Sequence, residues 1–142
     1  MIDLARARTI VDGALDHARG NDFPPMTIAV LDAAGRLVAF ASEDGSSLLR
    51  GRIARAKARG ALNMGVGSRS LAARAESHPA FVNALVALAG GDLVPVPGGV
   101  LIRDGNDDLI GAVGVSGHDP DHDEACAIQG VAAGGLRADP GN

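Results

Sequence analysis

The chain has 142 residues, of which 46% are apolar and 21% charged, and its formal net charge is −4. This length predicts a single domain over residues 1–142 that buries roughly 70% of the surface exposed by the unfolded chain. A negative charge and the lack of aromatic residues interleaved with basic ones argue against a nucleic-acid partner. One cysteine, no targeting pattern and no long apolar run predict a cytoplasmic protein with no membrane partner.

The first part of the chain predicts a helix followed by a β-hairpin. Apolar residues recur at helical spacing over positions 4–18, and Gly20 is placed where a residue just beyond a helix belongs. Strands are expected over Met26–Leu31 and Leu37–Ala41, joined by a turn that contains Gly35.

A second helix is expected to start at a cap on Ser46 or Ser47 and to run to Met64, with Gly65 ending it. Five of its residues fall on one face, which should be the core face: Leu49, Ile53, Ala56, Gly60 and Met64. Its outer basic residues should face solvent or a neighbouring subunit: Arg52, Arg55 and Arg59.

Two basic residues of this helix, Arg50 and Lys57, flank the apolar face. A long side chain there can bury its stem and present its charge at the edge of a cleft. Lys57 is therefore a candidate to hold an anionic ligand, or to act as an acid/base group if desolvation lowers its pKa. We expect Lys57→Ala to weaken ligand binding and to leave thermal stability nearly unchanged.

The second half predicts another helix and another hairpin. After a turn at Gly67, a helix should open at Ser77-His78-Pro79 and close at Gly90-Gly91. Strands over Val100–Arg103 and Leu109–Val115 should pair around a turn at residues 104–106. With a final helix, the order is α-β-β-α-α-β-β-α, an α/β sandwich with an antiparallel sheet.

The junction between the last strand and the last helix is the strongest candidate for a binding site. Asp119 is a good N-cap and Pro120 a good first helical residue. The free N–H groups of such a helix start bind carboxylates and phosphates, so we expect a small anionic ligand between Gly117 and Asp121. Gly98-Gly99 should provide a tight turn or a close backbone approach. The predicted ligand-binding residues are Lys57, Gly98, Gly99, Ser116, Gly117 and His118.

Among the four histidines, His118 is the best functional candidate, and His118 and Lys57 are the candidate catalytic pair. His118 and His122 have the spacing of a helical metal pair, but Pro120 puts the helix start between them. With a single cysteine, Cys126, no thiolate cluster for zinc exists, so no dedicated metal site is predicted, and only adventitious binding of a divalent ion is expected. Cys126 itself should be a small buried apolar residue.

The ordered motifs of the chain resemble the GlcG/HbpS-like proteins, also called the haem-degrading domain family and similar to the C-terminal domain of PduO-type proteins. The residues that carry the resemblance are Val30-Leu31-Asp32 with Gly35, Asp44-Gly45, Ala56-Lys57-Ala58, Pro97-Gly98-Gly99, Gly111 to Gly117, and Asp123-Glu124. The chain departs from this pattern at Leu101, where a proline is more usual, and at His118, where a small residue is more typical.

The resemblance implies a profilin-like sandwich, with the antiparallel sheet flanked by helices, and a homo-oligomer built from dimers. It also implies haem or iron binding in some members. The leading hypothesis is therefore a haem-binding or small-ligand-binding protein. Two alternatives stay open: a small enzyme that uses the same pocket to move a proton on a carboxylate-bearing metabolite, and a structural oligomeric accessory subunit.

Overall fold

The computed structural model describes the whole chain, residues 1–142, as a five-stranded antiparallel sheet with helices on both faces. The strand order is β2-β1-β4-β3-β5. The elements are α1 (Leu4–Gly20), β1 (Thr27–Asp32), β2 (Leu37–Ser42), α2 (Arg50–Met64), α3 (Ser68–Ser77), α4 (Pro79–Leu88), β3 (Gly99–Arg103), β4 (Leu109–Ser116), α5 (Pro120–Ala133) and β5 (Arg137–Asp139). The predicted α/β sandwich is confirmed. None of the helices is long and apolar enough to cross a membrane.

The larger core lies between one face of the sheet and the helices α1 and α5. Alternate residues of the central strands point into it, among them Ile28, Val113 and Val115. The two helices touch closely because glycines face each other: a methyl group on Gly13 would lie 3.2 Å from the Cα of Gly130. This packing holds α5 against the sheet and so fixes where its first turn lies.

Helix α2 covers the other face of the sheet, with Ala56 and Gly60 buried as predicted, but it is rotated so that the larger residues of the predicted face are not in the core. Its buried face consists of small residues and one lysine: Ala54, Ala56, Lys57, Ala58, Gly60 and Ala61. Leu49, predicted to be in the core, is 56% exposed. The helix turns this way because Gly114 of β4 has no side chain, and a methyl group there would overlap the carbonyl oxygen of Ala54. Close approach of the backbones therefore decides the orientation of α2.

Several predicted helix ends differ from the structure. The N-cap of α2 is Leu49, without a side-chain hydrogen bond, and neither Ser46 nor Ser47 caps it. Gly20 is the last residue of α1, not the residue beyond it. By contrast, Gly65 ends α2 in the left-handed region, with φ of 70°, as predicted.

The structure adds one helix and one strand to the predicted order. α3 begins directly after the turn at Gly67, where its backbone packs against Pro140 and Gly141. β5 adds three residues to the free edge of β3, and Arg103 bonds Asp139 across this pair at 2.9 Å. The C-terminal segment therefore closes the sheet edge beside the predicted elements.

Candidate functional site

The candidate site forms where β4 ends at Ser116 and α5 begins at Pro120. Asp119 caps α5 as predicted, since its Oδ1 accepts a hydrogen bond of 2.9 Å from the backbone N–H of His122. Asp123, one turn into the helix, accepts a second bond of 2.8 Å from the N–H of His118. Two carboxylates thus hold this short connection in one conformation and place the side chain of His118.

Lys57 supports this connection from beneath. Its Nζ donates to the carbonyl oxygen of Val115 at 3.0 Å and to Oδ2 of Asp123 at 2.9 Å. The side chains of Lys57 and Asp123 are only 2% and 1% exposed, so the prediction that Lys57 lies at the edge of a cleft is wrong. Burial lowers the pKa of Lys57, which Asp123 offsets in part, and burial raises the pKa of Asp123. Lys57 can therefore act on an exposed ligand only through Asp123 and the loop it holds.

Gly98 and Gly99 are where the backbone must pass close to Lys57. Gly98 has a φ of +120°, and a methyl group on it would lie 2.8 Å from Nζ of Lys57. A methyl group on Gly99 would overlap the backbone carbonyl of Lys57 and lie 3.0 Å from Oγ of Ser68. The predicted close backbone approach is confirmed. The space above the two glycines is filled by Lys57, not left open for a ligand.

Ser116 and Gly117 are also tightly enclosed. Ser116 is fully buried, and its Oγ accepts a hydrogen bond of 3.0 Å from Nη1 of Arg50. Gly117 is close to Met26, whose Cα would lie 2.9 Å from a methyl group at that position. The structure brings all six predicted site residues to one end of the sheet. Of these residues, Lys57, Gly98, Gly99 and Ser116 are buried, whereas Gly117 and His118 are partly exposed.

His118 belongs to an aromatic cluster that the sequence did not predict. Its ring stacks on that of His122, with centroids 4.3 Å apart and planes 10° from parallel. Phe23 meets both rings edge-on, at 5.0 Å from His118 and 4.8 Å from His122, and it meets His17 at 5.8 Å. The signal that could have found this cluster is Phe23 itself, one of only three phenylalanines, placed between α1 and β1.

The charges around the helix start are paired to different degrees. Arg69 bonds Asp121 and Glu124, both at under 3 Å in their closest contacts, and Asp123 is paired with Lys57. Asp119 has no arginine or lysine partner; hydrogen bonds from the backbone and ring of His122 hold the pKa of its carboxyl below the usual value. The backbone N–H groups of Gly117, Asp119 and Asp121 donate to no protein acceptor. Free donors therefore remain beside one exposed carboxylate.

A separate surface cleft of about 370 Å³ lies beside α2 and contains none of the six predicted residues. It is lined by Leu49, Arg52, Ile53, Arg55, Ala56, Gly90, Gly91, Asp92 and Val94. Arg52 and Arg55 reach solvent here as predicted, but Arg59 does not belong to this exposed surface. Its Nη1 donates instead to the carbonyl oxygen of Gly35 at 3.1 Å.

The sequence of the chain matches one protein family model, described as haem degrading protein HbpS-like, over residues 2–132. No curated protein matches the chain by sequence.

Several solved structures have the same fold. A PduOC:heme complex superposes with a TM-score of 0.84 at 22% identity, covering 93% of this chain and 94% of the other. The Klebsiella pneumoniae protein ORFY superposes with a TM-score of 0.85 at 21% identity, covering 94% of this chain and 90% of the other. A double mutant of Streptomyces reticuli HbpS superposes with a TM-score of 0.78 at 22% identity, covering 92% of this chain and 85% of the other. At these identities the structural likeness shows the fold.

Proposed function

Because this chain belongs to the HbpS-like haem-degrading family, we propose that it binds haem at the start of α5, with His118 as the axial ligand. The observation that carries this proposal is the half-buried imidazole of His118, which makes no hydrogen bond to the protein and lies beside the ring of Phe23. One of the solved structures with this fold, PduOC, is a haem complex.

The residues present fit a haem group in three respects. An imidazole nitrogen is a common axial ligand of haem iron. The ring of Phe23, with its centroid 5.0 Å from that of His118, offers an apolar contact for the macrocycle. The guanidinium of Arg50 and the free N–H groups of Gly117 and Asp119 are donors for propionate carboxylates. Bound haem would supply redox chemistry at its iron.

Lys57 and Asp123 act in this proposal as positioning residues. Asp123 binds the backbone N–H of His118 through one carboxylate oxygen and Lys57 through the other. Because both side chains are buried, the arrangement restricts where the loop can move. The imidazole of His118 is therefore held in place before a ligand arrives, which lowers the entropy cost of binding.

We also propose that the protein is a homo-oligomer built from dimers. Helix α4, with the sequence PAFVNALVAL, is apolar over nearly its whole surface, yet Val82 is its only buried residue. Leu88 is 85% exposed and Phe81 is 46% exposed. Helices that are apolar all round are normally buried, so a second copy of the chain is the expected cover for α4.

The direct test of haem binding is a titration of the purified protein with haemin, followed through the Soret band. The proposal expects saturation at one haem per protomer and a spectrum typical of imidazole ligation. Mass spectrometry of small molecules retained by the native protein would identify a different ligand if haemin gives no saturable change.

A further inference from the structure

We infer that His118, Asp119 and His122 form a binding site for a divalent transition-metal ion of the zinc, nickel or copper class. The three side chains each bring one ligand atom to within 4.8 Å of the other two. The sequence predicted no dedicated metal site, because the single cysteine offers no thiolate cluster and Pro120 rules out the usual helical pair of histidines. The structure shows that the loop before Pro120 brings their rings together nonetheless. This inference concerns a free metal ion and does not rest on haem binding, although both involve His118.

The histidine nitrogens have the chemistry that such an ion requires. Nδ1 of His122 lies 2.6 Å from Oδ2 of Asp119, so the two atoms share one proton. A metal ion that binds both atoms takes the place of that proton, and a neutral His122 then carries its proton on Nε2. The ring of His118 donates to and accepts from no protein group, so one of its nitrogens has a free lone pair as the third ligand.

The two rings must leave their stacked arrangement before one ion can bind both of them. Zinc binds histidine nitrogen at about 2.0–2.1 Å and carboxylate oxygen at about 2.0–2.2 Å. The lone pair of an imidazole nitrogen lies in the plane of its ring, and the two stacked rings are 10° from parallel with centroids 4.3 Å apart, so their lone pairs do not point at one position. Rotation of the exposed His122 ring or the partly exposed His118 ring out of the stack brings the three donor atoms to one ion. Three protein ligands leave a fourth position for water, as in open zinc sites.

The local charges also favour a cation here. The neighbouring carboxylates already form ion pairs, Asp121 with Arg69 and Asp123 with Lys57. Asp119 is half exposed and has no arginine or lysine partner, only His122. Its negative charge is available to the ion, while the two nitrogens select against magnesium and calcium, which prefer oxygen ligands.

The test is isothermal titration calorimetry of the haem-free full chain with ZnCl₂, with MgCl₂ as the comparison ion. We expect one zinc per protomer and no magnesium binding. His118→Ala and His122→Ala should each weaken zinc binding by at least about tenfold, since each removes a direct ligand. Asp119→Asn, which still caps α5, should weaken it as well. His78→Ala is the matched control, because His78 is exposed between α3 and α4 and its side chain bonds only Ser77.

The absence of saturable zinc binding would overturn the inference. So would wild-type affinity in both His118→Ala and His122→Ala, or an equal loss in His78→Ala. The readout involves no haem, so a failure here leaves the haemin titration of the proposed function unaffected, and the reverse is also true.

Discussion

Nζ of Lys57 lies 2.9 Å from Oδ2 of Asp123, and the two side chains form an ion pair that is almost fully buried between α2 and α5. The pair connects the two helix layers through the end of β4, since Nζ also bonds the carbonyl oxygen of Val115. The same carboxylate holds the backbone of His118. The sheet, both helix layers and the candidate ligand residue therefore meet at one ion pair.

Breaking this pair should destabilise the protein strongly. Asp123→Ala leaves the Lys57 charge buried without a partner, and we expect the free energy of unfolding to fall by about 3–5 kcal/mol. Lys57→Ala should lower the free energy of unfolding by a comparable amount. The sequence had led us to expect that this variant leaves thermal stability nearly unchanged, and the burial of Lys57 contradicts that expectation. Urea denaturation followed by circular dichroism measures both.

The control for this prediction is Asp139→Ala, which removes one partner of the more exposed Arg103–Asp139 pair. Such a pair contributes about 0–1 kcal/mol. The double variant Lys57→Met/Asp123→Leu should recover much of the loss, since apolar side chains can replace a buried ion pair. Equal stability of Asp123→Ala and Asp139→Ala would contradict the buried-pair account.

The orientation of α2 shows where prediction from sequence failed and why. Apolar periodicity favours the large residues Leu49 and Ile53 as the core face. The structure buries Ala54, Ala58 and Ala61 instead, because glycines in β3 and β4 let the helix backbone approach the sheet. Small residues carry little weight in a hydrophobic pattern, so their role becomes visible only when the facing strand is known.

Close packing at Gly114 gives a direct test of this explanation. Gly114→Ala would place a methyl group against the carbonyl of Ala54, and we expect a loss of about 1–3 kcal/mol or more from overpacking. Gly105→Ala is the matched control, because that position is an open turn with no atom within 4 Å. Denaturant midpoints of the two variants should differ clearly. Similar midpoints would show that α2 can move away from β4 at little cost.

The hairpins and the last helix were predictable because their signals are local. Asp119 and Pro120 predicted the start of α5, and the structure confirms both. α3 and β5 were missed for physical reasons. α3 buries only Ser68 and Leu71 and has no side-chain cap, and β5 is three residues long, held by pairing with β3. Neither element has a periodic apolar pattern that sequence can reveal.

At the candidate site, the sequence predicted where the site residues lie better than it predicted what each side chain does. His118 was singled out, and the structure places it beside the rings of Phe23 and His122. Lys57 was expected to bind a ligand, but its ammonium group forms an ion pair with Asp123, which is more than sixty residues away in sequence. Contacts over such a distance depend on how α2 and α5 cross the sheet, which local patterns do not encode.

Cys126 should be chemically inert in the folded protein. Its side chain is fully buried in α5, and burial raises the pKa of its thiol to about 12. Because the thiolate is the reactive form, labelling with iodoacetamide at pH 8 should be very slow in the native state and rapid in urea. Fast labelling of the native protein would show that α5 opens readily.

The proposed oligomer predicts a change in mass on altering α4. Light scattering at micromolar concentration should show more than one protomer. Leu88→Asp places a charge on the exposed apolar surface and should shift the mass towards smaller species. Because Leu88 is 85% exposed within one chain, the fold itself should be unaffected. Leu4→Asp, an exposed leucine on α1, is the control. A wild-type monomer would contradict the proposal.

The most direct test of haem binding at the start of α5 is a haemin titration of three proteins: wild type, His118→Ala and His78→Ala. Replacing the axial imidazole changes the ligand field at iron, so the Soret band of His118→Ala should shift and its haemin affinity should fall. His78→Ala should behave as wild type, since His78 lies between α3 and α4, away from the start of α5. Identical Soret spectra and affinities for wild type and His118→Ala would contradict the account and move the haem site elsewhere on the molecule.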